Sequence, residues 1–508
     1  MRKLVMRKTP GMKVLLGIDI GTQGAKAVLV SQDGDTLGHG RSPYAVKRSR
    51  DGYAEQDPER DWWNGCQKAI AAAILQAHVC PEQISAIGFS TQTPNVVLVN
   101  KKGISTRPAI IWQDRRSAQI ATQIETTLTE TNLWSRQHFP LTAHSYLAPL
   151  IWLRQNEPES YQKAALKLTT PGYFLFRLTG RNAVDPAIAS GMIPLFSLEQ
   201  NKWDPQICDL FSIPVTDLPE ILSSHTIAAP LLSEAADQLG LSPGTPVMVG
   251  TGDSMADLLS AGVYMPGQAA FTYGTLFGIV KCIPEPIPDA FCFSHSIDHS
   301  YLLYSGVPLA GATLHWFREN FAQSEEKRAK KTGENSYDLL SDLGKHIEPG
   351  CEGLVAFPFT EHNGRKPETT PGAALVGLNL RHTRGHVYRA LIEGIAFEIR
   401  RQLEGMTGSE IKEIAAIGGG SKDALWTQVV SDILGISQQI PNLRLGAPLA
   451  DAYLAGWGCG IFSDIQRLKN WIKPVMVVNP NKDYQSIYQN AYQEYLRMGK
   501  LLGIFNSF

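Results

Sequence analysis

Four apolar runs in this chain, each of strand length, stop at turns built from glycine and small polar residues. They are VLLGIDIGTQGAK from Val14, PVMVGTGD from Pro246, QAAFTYGT from Gln268 and the run that ends in IGGGSKDALW from Ile417. A short apolar run bounded by glycine reads as a strand, and glycine lets the backbone turn tightly and approach a ligand closely. Amphipathic stretches such as VYRALIEGIAFEIRRQLEGM lie between them. Strands interleaved with helices in this way confine the chain to an α/β architecture. With 508 residues there is room for roughly two to four such units.

The charge balance removes several classes of partner. Lys plus Arg total 47 and Asp plus Glu 48, a net charge of −1, which gives no basic field for extended phosphate neutralisation on nucleic acid. At 43% hydrophobic and 19% charged residues the composition is that of a folded chain. No apolar run reaches bilayer length. MRKLVMRKTPGMK imitates the start of a signal peptide, but the VLLGIDIG that follows is too short and soon meets Asp19. Residues 1–12 are therefore expected to form a flexible tail. The seven cysteines, Cys66, Cys80, Cys208, Cys282, Cys292, Cys351 and Cys459, are odd in number and form no CxxC pair, which points to reduced thiols in a cytoplasmic protein and away from zinc.

Along the chain, VLLGIDIG and KAVLVSQDGDTLGHGRS predict an opening hairpin with a turn at Asp33-Gly34. Asp57 and Pro58 predict a helix start, as N-cap and first helical residue, with Trp62 and Trp63 as core and rim of that helix. ISAIGFST from Ile84 predicts a strand, and NVVLVNKKGISTRPAIIW a second hairpin bending at Lys102-Gly103. The later tract repeats this grammar, with strands at Gln268 and Ser300 and helices at GATLHWFREN, VYRALIEGIAFEIRRQLEGM and ALWTQVVSDILG. A boundary near Leu258 to Gly262 divides the chain into domains 13–258 and 259–508. The Pro-rich IPEPIPD and the charged EEKRAKKTGEN are expected to be surface loops.

The chemistry-bearing residues sit at the strand ends. Asp19 leaves the first strand just before Gly21, Thr22 and Gly24, whose amides suit phosphate oxygens while the carboxylate holds a hydrated Mg²⁺. The same pattern also makes an ordinary glycine-rich hairpin, and Lys26 beyond it reads as a surface charge. Asp253 leaves the end of its strand flanked by Gly252 and Ser254, where a carboxylate accepts the proton of an attacking hydroxyl. A strand-terminal Asp also serves as a helix N-cap, a role for which Asp257 is a candidate. Gly274 and Thr275 form a second phosphate turn, and Gly418, Gly419 and Gly420 form one flat wall of a nucleotide site.

That order of phosphate turn, acidic strand end, second phosphate turn and glycine wall resembles the FGGY carbohydrate kinases, and the resemblance runs from Val14 to about Tyr495. The pattern is most similar to xylulokinases: GIDIGTQGAK, EQDPERDWW, AIIWQDRR, GTGDSMADLLSAG and IGGGSKDALW stand in the family's order. The resemblance implies two actin-like, ribonuclease H-like α/β domains of the sugar kinase, Hsp70 and actin superfamily, around a cleft. It implies Asp253 as catalytic base and Asp19 at the metal. Gly21, Thr22, Gln23, Gly274, Thr275, Gly311 and His315 would serve the ATP phosphates, with Gly419, Gly420 and Lys422 near adenosine. Gln92, Thr93, Trp112, Asp114 and Ser254 would join Asp253 around the sugar, although a tryptophan buried under the sheet explains Trp112 equally well.

The chain departs from the family at the sugar. Thr93-Pro94-Asn95 stands where xylulokinases carry Met-His-Gly, so a hydroxyl loses its partner unless Gln92 or Asn95 replaces it. Ser254 stands in place of their Asn. Glu361 to Pro367 resembles a family segment that would bring Arg365 near the cleft. The expected activity is Mg²⁺- and ATP-dependent phosphorylation of a ketopentose such as xylulose. Another polyol or sugar (glycerol, erythritol, ribulose or a signalling sugar) and a non-catalytic sugar sensor remain as alternatives. The expected partner is a small sugar or polyol, with no nucleic acid and no membrane; a homodimer stays open.

Overall fold

A computed structural model of the chain describes residues 11–133, 141–288, 290–359, 372–443, 445–472 and 474–505. The tail expected over residues 1–12 and the segment around Arg365 lie largely or wholly outside these described residues. The chain forms two compact units, one of Met1–Met265, Ile283–Leu302 and Leu443–Lys473, the other of Pro266–Cys282, Leu303–Asn442 and Pro474–Phe508. The single boundary drawn from the sequence near residue 258 differs from this division. The chain returns twice to the first unit, and the second return carries a helix, Ala447–Gly458, that covers one face of that unit's sheet.

The first unit is built on β1 (Val14–Gly21), β2 (Gly24–Ser31), β3 (Thr36–Pro43), β4 (Ile84–Thr91), β5 (Ile227–Pro230) and β6 (Pro246–Met248), ordered β5-β6-β4-β1-β2-β3. The short β7 (Thr251–Gly252) pairs with the end of β4. β1 and β2 form an antiparallel hairpin, and β4 runs parallel to β1 with Asp19 opposite Ser90. Burial on both faces explains why VLLGIDIG is apolar almost without a break. Val14, Leu16, Ile18 and Ile20 pack with Trp62, Cys66 and Ile70, the last two on α1 (Asn64–Ala77), while Leu15 packs with Leu449, Leu454 and Phe462.

The helix Ala447–Gly458 lies directly on the sheet because two glycines make room for it. Gly17 and Gly88 are register partners on β1 and β4. A Cβ at Gly17 would stand 1.8 Å from the Pro448 carbonyl oxygen, and one at Gly88 2.0 Å from that of Asp451. Local signals hold elsewhere too. Asp57 caps its helix by accepting from the amides of Glu59 and Arg60, with Pro58 in the first turn. Trp62 and Trp63 are both buried, at 0% and 3% exposed, so Trp63 belongs to the core and not to a rim.

The second unit repeats the hairpin-plus-parallel-strand arrangement. β8 (Gln268–Tyr273) and β9 (Phe277–Ile283) are antiparallel, β10 (Tyr301–Val307) follows, and β11 (Glu413–Ile417) runs parallel to β8 with Thr272 opposite Ile417. β12 (Gln438–Pro441) and β13 (Pro474–Val478) extend the sheet, within which these strands run in the order β10-β9-β8-β11-β12-β13. α3 (Ala310–Phe321), α5 (Arg384–Gly405) and α6 (Ala424–Leu434) form where their patterns predict. The charged EEKRAKKTGEN does not form the expected loop: Gln323–Thr332 is a helix, α4. Its acidic residues Glu325 and Glu326 sit in the first turn and Lys330 and Lys331 in the last, matching the helix dipole.

Candidate active site

Each unit presents a cavity at the ends of its central strands. In the first unit the cavity encloses about 660 Å³ and includes Asp19, the Gly21–Gly24 turn, Lys26, Trp112, Asp253 and Asp257 in its lining. The β1–β2 turn is narrow because Gly24 has φ +157° and a Cβ there would stand 2.7 Å from the Ser42 carbonyl oxygen. The turn is also held from both sides. Tyr44 donates through its hydroxyl to the Gly21 carbonyl at 2.7 Å. Thr22 donates to Gln92 Oε1 at 3.1 Å and accepts from Trp112 Nε1 at 2.9 Å.

This network reaches back into the core. Gln92 Nε2 donates to Gln56 Oε1 at 2.6 Å, Gln56 Nε2 donates to the Thr22 carbonyl, and Trp62 Nε1 donates to the same Gln56 oxygen. Gln92 is therefore buried with both ends of its amide engaged under the turn. Asn95 is buried as well: it donates to Thr170 and accepts from the Trp112 amide at 2.8 Å. Each amide is thus already bonded within the protein, Gln92 to Thr22 and Gln56, and Asn95 to Thr170 and Trp112. Trp112, 37% exposed, stands at the cavity wall and is not packed under the sheet.

Asp114, expected at the sugar, lies in the interior. It accepts from the Ala54 amide at 2.6 Å and from Arg116 Nη2 at 2.8 Å, with both ion-pair side chains 2% exposed. Arg116 also bonds Glu55 at 2.9 Å. Asp114 thus anchors the backbone beneath Trp112 and leaves no face toward the cavity. Thr93 lies beside the strand end that leads into Asp253, its Cγ2 3.1 Å from where a Cβ on Gly252 would fall. Ser254 is exposed, and its amide donates to Asp253 Oδ1 at 2.8 Å.

The carboxylates are electrostatically strained. Asp253 opens the helix α2 (Asp253–Ser260), and its carboxyl is pushed up to about 8 by burial first and then by the charges of Asp19 and Asp257. Asp19 is 2% exposed and is also raised, with desolvation outweighing its 2.8 Å ion pair with Lys26. Lys26 is exposed, as a surface charge is, and is also the ion-pair partner of Asp19, a pairing hidden in the sequence because the strand register that puts the two opposite each other is a tertiary fact. Oδ2 of Asp19 takes the lysine, whereas Oδ1 is buried without a hydrogen-bond partner. Asp257 does not cap α2: Gly252 is the N-cap, and Asp257 lies a turn further on, facing the same cavity.

The second unit holds a cavity of about 580 Å³ that includes Gly274, Thr275, Gly311, His315, Gly419, Gly420 and Lys422 in its lining. All seven second-unit residues expected at the nucleotide are brought together here. α3 begins against the β8–β9 turn: Ala312 N donates to the Thr275 carbonyl, and a Cβ at Gly311 would stand 2.2 Å from the Gly274 carbonyl oxygen. Amides of a turn and of a helix N-terminus so placed suit an anion. Gly418, at φ +91°, would push a Cβ to 2.7 Å from the Tyr273 carbonyl, while Gly419 faces open space and leaves a flat wall. His315 lies 3.0 Å from Glu319.

Residues 14–260 match the model described as the FGGY family of carbohydrate kinases, N-terminal domain, and residues 269–458 match its C-terminal domain. A xylulose kinase of Staphylococcus epidermidis is 27% identical over 494 residues, covering 95% of this chain and 96% of that protein. A gluconokinase of Bacillus licheniformis is 28% identical over 455 residues, covering 87% and 88%. The crystal structure of a xylulose kinase from Rhodospirillum rubrum superposes with a TM-score of 0.86 at 23% identity, covering 97% of this chain and 99% of that one. The fold is shared by all of these, and the substrates named for them differ.

Proposed function

The chain belongs to the FGGY family of carbohydrate kinases and is an ATP-dependent sugar kinase; from that premise we propose that its acceptor is a terminal hydroxyl of a ketopentose such as xylulose, with Asp253 as general base. The observation that carries this reading is the position of Asp253, at the end of a strand, on the wall of a polar cavity beside a glycine turn. In the transfer, the hydroxyl oxygen bonds the γ-phosphorus, its proton passes to Asp253, and the bond to the β-phosphate oxygen breaks to release ADP. Amides of the Gly21–Thr22 turn and of Gly274–Thr275 support charge on the phosphates. Trp112 and the residues around Asp253 orient the sugar, and the Gly418–Gly420 wall receives the adenosine.

The unpartnered Oδ1 of Asp19 fits a divalent cation, with Lys26 fixing the other oxygen. Mg²⁺ held there would neutralise charge on the ATP phosphates. A sugar acid is a second acceptor reading, favoured by Arg41 and Arg48 on the same cavity wall. Coupled ADP release against ketopentoses, ketohexoses, pentitols, erythritol, glycerol and gluconate separates the two. Strongest turnover with a ketopentose supports the first, strongest turnover with gluconate the second, and turnover with glycerol alone overturns both.

The raised carboxyl of Asp253 also gives a pH signature. A base works deprotonated, so kcat/KM falls as pH drops through the value of the free enzyme, which lies near 8 rather than in the usual carboxylate range. Lys26 opposes that upward push. In Lys26→Met the opposing charge is gone, the proton is held more tightly, and the acidic limb moves to higher pH. A limb displaced to lower pH in a kcat/KM profile counts against Asp253 as the base.

A further inference from the structure

Asp253 and Asp257 are one helical turn apart on α2, a spacing that puts side chains on one face. Both line the cavity with Asp19. Asp257 is too far into the helix to cap it, and its carboxylate instead accepts from the Ala447 backbone amide. Burial, and after it the charge of Asp19, push it up to about 6, with Lys26 acting the other way. Holding a third carboxylate against two others costs stability unless a positive charge joins them. Lys26 is committed to Oδ2 of Asp19, while Arg41 and Arg48 stand on the same cavity wall, Arg48 bonded to the neutral Gln113.

What points from this cluster to a ligand is Oδ1 of Asp19: it belongs to a cavity-lining side chain that is 2% exposed, and it has no hydrogen-bond partner. Both oxygens of that carboxylate lie under the turn, 3.8 and 3.9 Å from where a Cβ on Gly21 would be. Among the described residues no three His, Cys, Asp or Glu side chains converge to enclose a metal. Mg²⁺ rarely asks for that; it keeps several waters and takes one or two carboxylates along with phosphate oxygens. We propose that Asp257 is a second carboxylate for the divalent cation, holding the water shell of an ion bound at Asp19. The inference rests on the kinase reading and adds a residue to its cation site.

The test uses Mn²⁺ as a paramagnetic probe on the nucleotide-free protein, read by the loss of its free-ion signal. Asp257→Asn keeps an oxygen for the Ala447 amide and so keeps the helix in place. Its Mn²⁺ affinity is expected to fall about tenfold, the scale of losing a residue that supports a metal through its outer shell. Asp19→Asn should remove binding, and Asp257→Glu should recover most of it. With ATP and sugar present, the Mg²⁺ concentration for half-activation should rise in Asp257→Asn by a similar factor. An unchanged Mn²⁺ affinity in Asp257→Asn overturns the inference while leaving the kinase reading standing, as does a wild-type protein that binds no Mn²⁺. Absence of turnover with every sugar overturns the kinase reading itself, whatever the Mn²⁺ result.

Discussion

Asp253→Asn is expected to bind ATP as the wild type does and to lose sugar-dependent ADP release by about 10²- to 10⁴-fold, the usual contribution of a positioned base. The asparagine oxygen still accepts from the Ser254 amide, so the start of α2 is preserved. It no longer accepts a proton from the sugar hydroxyl. Burial and two neighbouring carboxylates act on the wild-type side chain, and the neutral variant relieves that repulsion. Asp253→Asn should therefore melt at the same temperature as the wild type or higher, with activity and stability moving in opposite directions. Near-normal turnover with an intact fold would remove Asp253 from the mechanism.

A comparably large effect, on stability rather than rate, is expected from Arg116→Met. The guanidinium bridges Asp114 and Glu55 and lies over the Tyr53 ring at 3.7 Å. Removing it leaves Asp114 in the interior with its charge uncompensated, a change that costs about 3–5 kcal/mol when one partner of a buried pair is lost. Urea titration should show the first unit unfolding at a clearly lower concentration. If the sugar KM rises instead while the unfolding midpoint stays fixed, Asp114 is a sugar residue after all.

The sequence reads well wherever a single element carries the signal. VLLGIDIG is a central strand because it is apolar on both faces, and Asp57-Pro58 starts a helix because the cap is local. α4 escaped because it has no buried face to give periodicity; its ordered charges were the available clue. The site divides along the same line. Residues on a turn or strand end, such as Asp19, Thr22, Asp253 and Gly274, lie on cavity walls. Gln92 and Asp114 do not, because their partners Gln56, Ala54 and Glu55 are distant in the chain and only folding shows that their polar atoms are already engaged.

Strand pairs with the helix that covers them need not be neighbours in time. Gly17 and Gly88 receive a helix that leaves the ribosome only after most of the second unit has been made. Until then, the face of the first sheet carrying Leu15, Val28, Ala86 and Met248 lacks most of its cover, since in the finished protein these residues pack chiefly with that helix, alongside Ala256 and Leu259 of α2. Exposed apolar faces on nascent chains invite aggregation and chaperone capture. The first unit therefore completes its fold near the end of synthesis, and a fragment cut after residue 258 to isolate it would expose that same apolar face.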